Sequence, residues 1–158
     1  MKRILSIVFA MLALGGCAST GASDAEKLEL YRANAGEPVP HFQFFGRING
    51  WTPLGDSAVA VWTKPREAYL LELSGPCPDL PSSPAISLTS NMSRVYARFD
   101  KVMALNRSSI QIPCHIREIR PLDVNAVREA ERRVRDDEAM PADQPEDGPS
   151  DDSPGSGT

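Results

Sequence analysis

Between residues 41 and 121 the chain is a succession of short runs in which apolar and polar side chains alternate, each cut off by proline, glycine or asparagine. A period of two is the signature of a strand with one face buried. In the run 41–49, Phe42, Phe44 and Ile48 fall on one side and Gln43 and Arg47 on the other. Residues 51–56 read as a turn-rich connection. Residues 57–63 are almost continuously apolar, as expected of a strand covered on both faces. Lys64-Pro65-Arg66 breaks that run, and 67–74 resumes with Tyr69, Leu71 and Leu73 inward and Glu72 outward. So short a break predicts an antiparallel hairpin. Residues 75–84 hold four prolines and Cys77 and read as a loop. Residues 85–89 predict a short strand. In 94–99, Val95, Ala97 and Phe99 alternate with Arg94, Tyr96 and Arg98, and Asp100 ends the run. Ile110, Ile112, Cys114 and Ile116 alternate again; Ile119 is out of phase, which predicts a bulge or a strand end before Pro121.

Two helices flank these strands. Ser23-Asp24-Ala25-Glu26 has capping-box spacing and opens a helix over about 24–34, halted by Gly36, Pro38 and Pro40. Asp123 caps a second, over 124–140, with a thin apolar stripe of Val124, Val127, Ala130 and Val134 and with i,i+4 pairs Glu129–Arg133 and Glu131–Arg135. The expected fold class is mainly β, a small antiparallel barrel or two-layer sandwich of five or six strands with a short helix at each end. From Pro141 onward no large apolar residue occurs, and 141–158 reads as a disordered acidic tail.

The N-terminus points to export. Lys2 and Arg3 precede residues 4–14, apolar apart from Ser6. Eleven helical residues rise about 16 Å, too little to cross a hydrocarbon core of about 30 Å. This is the pattern of a signal peptide, here residues 1–16. Leu14-Gly15-Gly16-Cys17 resembles the lipobox of bacterial lipoproteins. That resemblance implies cleavage before Cys17 and lipidation of its thiol, with residues 17–23 as a tether and the β-domain occupying 24–123. Ala18, rather than aspartate, implies the periplasmic face of the outer membrane.

Three cysteines are present, and lipidation of Cys17 leaves Cys77 and Cys114 as a pair. In an oxidising compartment a structural disulfide is the expected state. A redox-active pair is the alternative, but such pairs come as C-x-x-C. Cys77 and Cys114 with the scattered His41 and His115 lack metal-site spacing, so no metal and no cofactor is expected.

Charge is unevenly spread. Residues 136–158 carry eight acids and no base, whereas 17–135 carry 15 bases against 13 acids. The folded part is nearly neutral and lacks the basic stripe of a nucleic-acid binder.

Trp51-x-Pro53-Leu54-Gly55-Asp56, Ala68-Tyr69-Leu70-Leu71, Cys77-x-Asp79-Leu80, Arg98-Phe99-Asp100 and Cys114-x-Ile116-x-Glu118-Ile119 occur in that order. Together they resemble a family of small Gram-negative exported proteins known only as a domain of unknown function. The resemblance spans about residues 25–123. It implies a leader and a paired cysteine, and it supplies no activity or catalytic residue.

Asp56, Asp79, Asp100 and His115 are the weak candidates for a chemical site. Paired carboxylates do acid–base work, but aspartates beside turns also bond their own backbone. A Cys114–His115 dyad is disfavoured, because neighbours on a strand point oppositely and a bridged sulfur is no nucleophile. No nucleophile elbow or phosphate loop occurs. Arg94, Tyr96 and Arg98 form a stripe on one expected outer face, suited to contact with a partner or an anionic envelope polymer. Two readings follow. The preferred one is a non-enzymatic envelope module held to the membrane by its N-terminal lipid and touching an envelope protein or polymer. The alternative is a small-molecule binder or periplasmic enzyme with carboxylates in a barrel mouth.

Overall fold

The computed structural model describes residues 23–106 and 112–139. The leader, Cys17, most of the tether, Ile110 and the acidic tail lie outside those residues.

The order of elements is α1 (Asp24–Ala33), β1 (His41–Gln43), β2 (Gly50–Pro53), β3 (Ala58–Lys64), β4 (Glu67–Leu73), β5 (Ile86–Leu88), β6 (Arg94–Tyr96), β7 (Lys101–Ala104), β8 (Pro113–Leu122) and α2 (Val124–Ala139). Six strands form one antiparallel sheet in the order β2-β3-β4-β8-β7-β5, and β1 pairs with β6 in a separate two-stranded ribbon. The mainly β class with a helix at each end is therefore present.

The continuously apolar run becomes β3, and both of its faces are covered. Val59 and Val61 join Leu71, Leu73, Ile116 and Ile119 in a core that also takes Ile86, Leu88 and Val102 from the far strands, Phe42 and Val95 from the ribbon, and Phe44 just beyond it. The six-stranded sheet therefore curls around this core and the ribbon closes over it. On the opposite face Ala58, Ala60, Ala68 and Leu70 meet Leu28 and Tyr31 of α1 and Val124 and Val127 of α2. Alanines there let the helices approach the sheet closely.

Both predicted caps are present. Ser23 and Glu26 exchange hydrogen bonds as a capping box, and Asp123 Oδ1 accepts from the N–H groups of Asn125 and Ala126 at 3.0 Å each. The expected bulge is real. Glu72 pairs with Glu118 but Leu73 pairs with Ile116, so Arg117 is an extra residue and Ile116 and Ile119 both enter the same core. Cys77 and Cys114 are bridged, with Cα atoms 6.0 Å apart.

Several expectations are corrected. Residues 50–53 are a strand, not part of a turn. Leu54 N–H donates to Ala58 O at 3.0 Å, so by alternation the nitrogen of Pro53 faces the open edge of β2 and no ladder bond is lost. The turn itself is confined to 54–57, where Gly55 supplies a φ of +75°. Pro121 does not end β8. Its carbonyl accepts from Gly36 N–H at 2.8 Å, so its backbone points away from β4 and the missing donor is not needed there. Strand β1 ends at Gln43, and β7 was not anticipated at all. Glu72 is buried rather than outward: it accepts from Arg32 Nε at 2.8 Å and from Arg117. Glu131 accepts from the Tyr31 hydroxyl at 2.7 Å instead of pairing with Arg135, while the Glu129–Arg133 pair forms.

Candidate interaction surface

The ribbon is built by a simple alternation. Phe42 pairs with Val95 and both point into the core, where Phe42 stacks on Tyr69 with ring centroids 4.4 Å apart. The flanking pairs, His41 with Tyr96 and Gln43 with Arg94, therefore share the outer face. The rings of His41 and Tyr96 lie 5.1 Å apart.

Strand β6 is only three residues long because the backbone turns sharply at both its ends. Met92 and Ser93 precede it with φ of 47° and 58°, and Arg98 follows with φ of 69°. These are the only non-glycine residues with positive φ among the described residues. The expected strand 94–99 is thereby cut short at Tyr96. The left-handed turn breaks the alternation, so Phe99, expected inward, is 79% exposed. Arg98 does not continue the Arg94–Tyr96 stripe but sits beside it in the turn, with its N–H donating to Ile116 O at 2.7 Å.

Asp100 explains how that turn is held. It is buried; one carboxylate oxygen accepts from the Thr89 hydroxyl at 2.6 Å and the other from Tyr96 N–H at 2.7 Å. Thr89 Oγ1 in turn accepts from Lys101 N–H at 2.9 Å. Asp100 is a turn staple tying β6 to the start of β7, not the end of a strand. Behind Arg98 a groove of about 420 Å³ opens between Pro38, Pro40, Tyr96, Phe99 and Arg117.

The remaining candidates lie apart from this groove. Asp56 is exposed, and its carbonyl accepts from Cys77 N–H at 2.7 Å. Asp79 is half-buried in the turn after Cys77, with its carbonyl accepting from the Ser82 hydroxyl. His115 is exposed on β8 opposite the inward Cys114 and Ile116, as alternation predicts. Neither Asp56, Asp79, Asp100 nor His115 lines the groove. Among the described residues no three His, Cys, Asp or Glu side chains gather at metal-binding distance.

The charges of the ribbon side are lopsided. Residues 38–49 and 84–106 hold Arg47, Arg94, Arg98 and Lys101 against a single acid, Asp100. Of the acids next to the groove, Glu118 lines it and is paired with Arg120, and Glu37 is exposed beside Pro38. Sequence alone located Arg94 and Tyr96 on the outer face. It missed His41 and Gln43 as their partners, since only strand pairing brings positions 41 and 96 together.

Fold and surface together define a small disulfide-bridged antiparallel β-domain, clasped by two helices on one face and by a cationic ribbon on the other. The chain belongs to the family of unknown function DUF6491, whose profile matches residues 1–138. The acidic tail lies beyond that match. Neither a curated protein nor a solved structure matches the chain.

Proposed function

We propose that this chain is an exported lipoprotein, anchored through Cys17 at the periplasmic face of the outer membrane, whose β-domain is a non-enzymatic interaction module for an envelope protein or polymer. The observation that carries this reading is the Cys77–Cys114 bridge. A structural disulfide belongs to an oxidising compartment, and it accounts for two of the three cysteines, leaving only Cys17, at the end of a signal-like leader. No helix among the described residues is long and apolar enough to cross a membrane. The outer face of the ribbon, with Arg94 and Tyr96 flanked by Arg98, is the contact surface. Asp100 is committed to its turn, and the other acid and base candidates stand away from the groove, which favours binding over chemistry.

The test is metabolic labelling with a palmitate analogue, followed by mass spectrometry of the N-terminal peptide. The expected result is an acylated N-terminus at Cys17, with label abolished by Cys17→Ser. An intact, unacylated Met1 terminus on the cell-associated protein would overturn the anchored reading.

A further inference from the structure

We propose that the β1–β6 ribbon docks a carboxylate-bearing glycan of the envelope, with Arg94 and Arg98 pairing to its carboxylates and His41, Tyr96 and Phe99 lying against its sugar rings. This deepens the interaction reading above and rests on it for the side of the membrane on which the domain stands.

Charge is the first argument. None of Arg47, Arg94, Arg98 and Lys101 is held in an ion pair among the described residues, and the one acid in their segments has both carboxylate oxygens occupied. Arg94 on the ribbon and Arg98 beside it thus carry charges that no ion pair among the described residues offsets. Arginine presents a planar fork that matches a carboxylate in two parallel hydrogen bonds.

The layout of apolar groups is the second. Protein interfaces place apolar side chains at the centre and polar ones at the rim. Here the order is reversed. His41, Gln43, Arg94 and Tyr96 make a polar centre, and the protruding apolar residues lie at the ends: Phe45 and Met92 beside the turn before β6, 71% and 92% exposed, and Phe99 in the turn after it. A polysaccharide suits such a strip. Its rings offer C–H faces to His41, Tyr96 and the isolated aromatic and thioether groups at the ends, and its hydroxyls and carboxylates meet Gln43 and the arginines.

Helix α1, to which the N-terminal segment leads, lies on the opposite face of the sheet from the ribbon, so the ribbon is the face not covered by the helices.

The experiment uses the chain without residues 1–16 and with Cys17→Ser, so that no lipid contributes. It is sedimented with purified peptidoglycan sacculi, and in parallel with phosphatidylglycerol vesicles, at low and high salt. The expected result is co-sedimentation with sacculi that is lost at high salt. Arg94→Gln weakens it about tenfold, as expected for a charged hydrogen bond removed. Arg98→Gly weakens it about tenfold as well, without lowering the unfolding midpoint, because glycine accepts a φ of 69° without strain. That variant separates binding from folding. No sedimentation with sacculi, sedimentation indifferent to both substitutions, or equal arginine-dependent binding to the vesicles would each overturn the proposal. Because Cys17 is absent from this experiment, its failure leaves the anchored reading standing, and failure of acylation leaves the sacculus result standing.

Discussion

On one face of β3 and β4, Val59, Val61, Leu71 and Leu73 pack against branched and aromatic side chains drawn from six other strands and loops, and the Cys77–Cys114 bridge closes that side. On the other face the same two strands present Ala58, Ala60 and Ala68 to a pair of helices, and a buried carboxylate, Glu72, joins α1 to β8 through Arg32 and Arg117. One face is thus held by volume and a covalent link, the other by close approach and a polar clasp. The difference predicts that each face has its own weakness.

The largest effect is expected from the covalent link. The bridge spans a sequence separation of 37 residues, and a loop of that size is worth about 4 kcal/mol in the chain-entropy picture. Cys77→Ser with Cys114→Ser is expected to lower unfolding free energy by that amount in urea titrations, a large fraction of what a small domain possesses. A loss below about 1 kcal/mol would show that the apolar packing closes the ribbon side unaided.

Opposite responses to side-chain size come next. Leu71→Ala empties volume in the strand-covered core and is expected to cost about 3 kcal/mol. Leucine at the alanine positions does the reverse: Ala60→Leu drives α1 off the sheet, at a cost of about 1–3 kcal/mol. Thermal melts of both variants sharpen the contrast. If Ala60→Leu is neutral, the helix face is looser than its buried alanines imply.

The polar clasp should respond to acid where the bridge does not. Burial alone would raise the Glu72 carboxyl, but hydrogen bonds from Arg32 and Arg117 outweigh it and hold it below its ordinary value of 4.5. A depressed carboxylate stabilises the fold above its unfolded pKa, and that contribution is lost as pH falls below 4.5 through the folded value. Glu72→Gln is expected to cost about 2 kcal/mol at neutral pH and to flatten the acid limb of the stability curve. An unchanged acid limb would assign that limb to other carboxylates.

The smallest effect concerns the contact between the two helices. Tyr31→Phe removes the hydroxyl that donates to Glu131. Burial, then the hydrogen bond and charge of Glu131, push that phenol well above its ordinary range. The expected cost is about 1 kcal/mol, read most directly as faster amide exchange in α2.

Legibility in the sequence followed the same division. The apolar face was readable because β4 and β8 alternate over long runs and β3 is continuously apolar, and because two cysteines remain once Cys17 is set aside. The caps at Ser23 and Asp123 were readable because they rest on neighbours in sequence. Glu72 was misread because its partners sit 40 residues before it and 45 after it; a single carboxylate in an apolar run looks like a solvent-facing position until its arginines are found. Strand β7 escaped because it is four residues long with only Val102 and Ala104 buried. Phe99 was placed on the wrong side because nothing in Tyr96-Ala97-Arg98 announces a left-handed arginine. Half of the outer ribbon face was legible for the same reason: Arg94 and Tyr96 lie on one strand, while His41 and Gln43 reach them only through pairing across more than 50 residues.

Arg117 has a role beyond its charge. As the one surplus residue in β8, it acts as a half-turn spacer between the two ends of the longest strand. Deleting it would rotate everything ahead of it by one position relative to β4. Pro113, His115 and the residues around them would swing toward the interior, and Cys114 would swing away from Cys77. The insertion of a single residue thus decides whether the two sulfurs of this domain can ever meet.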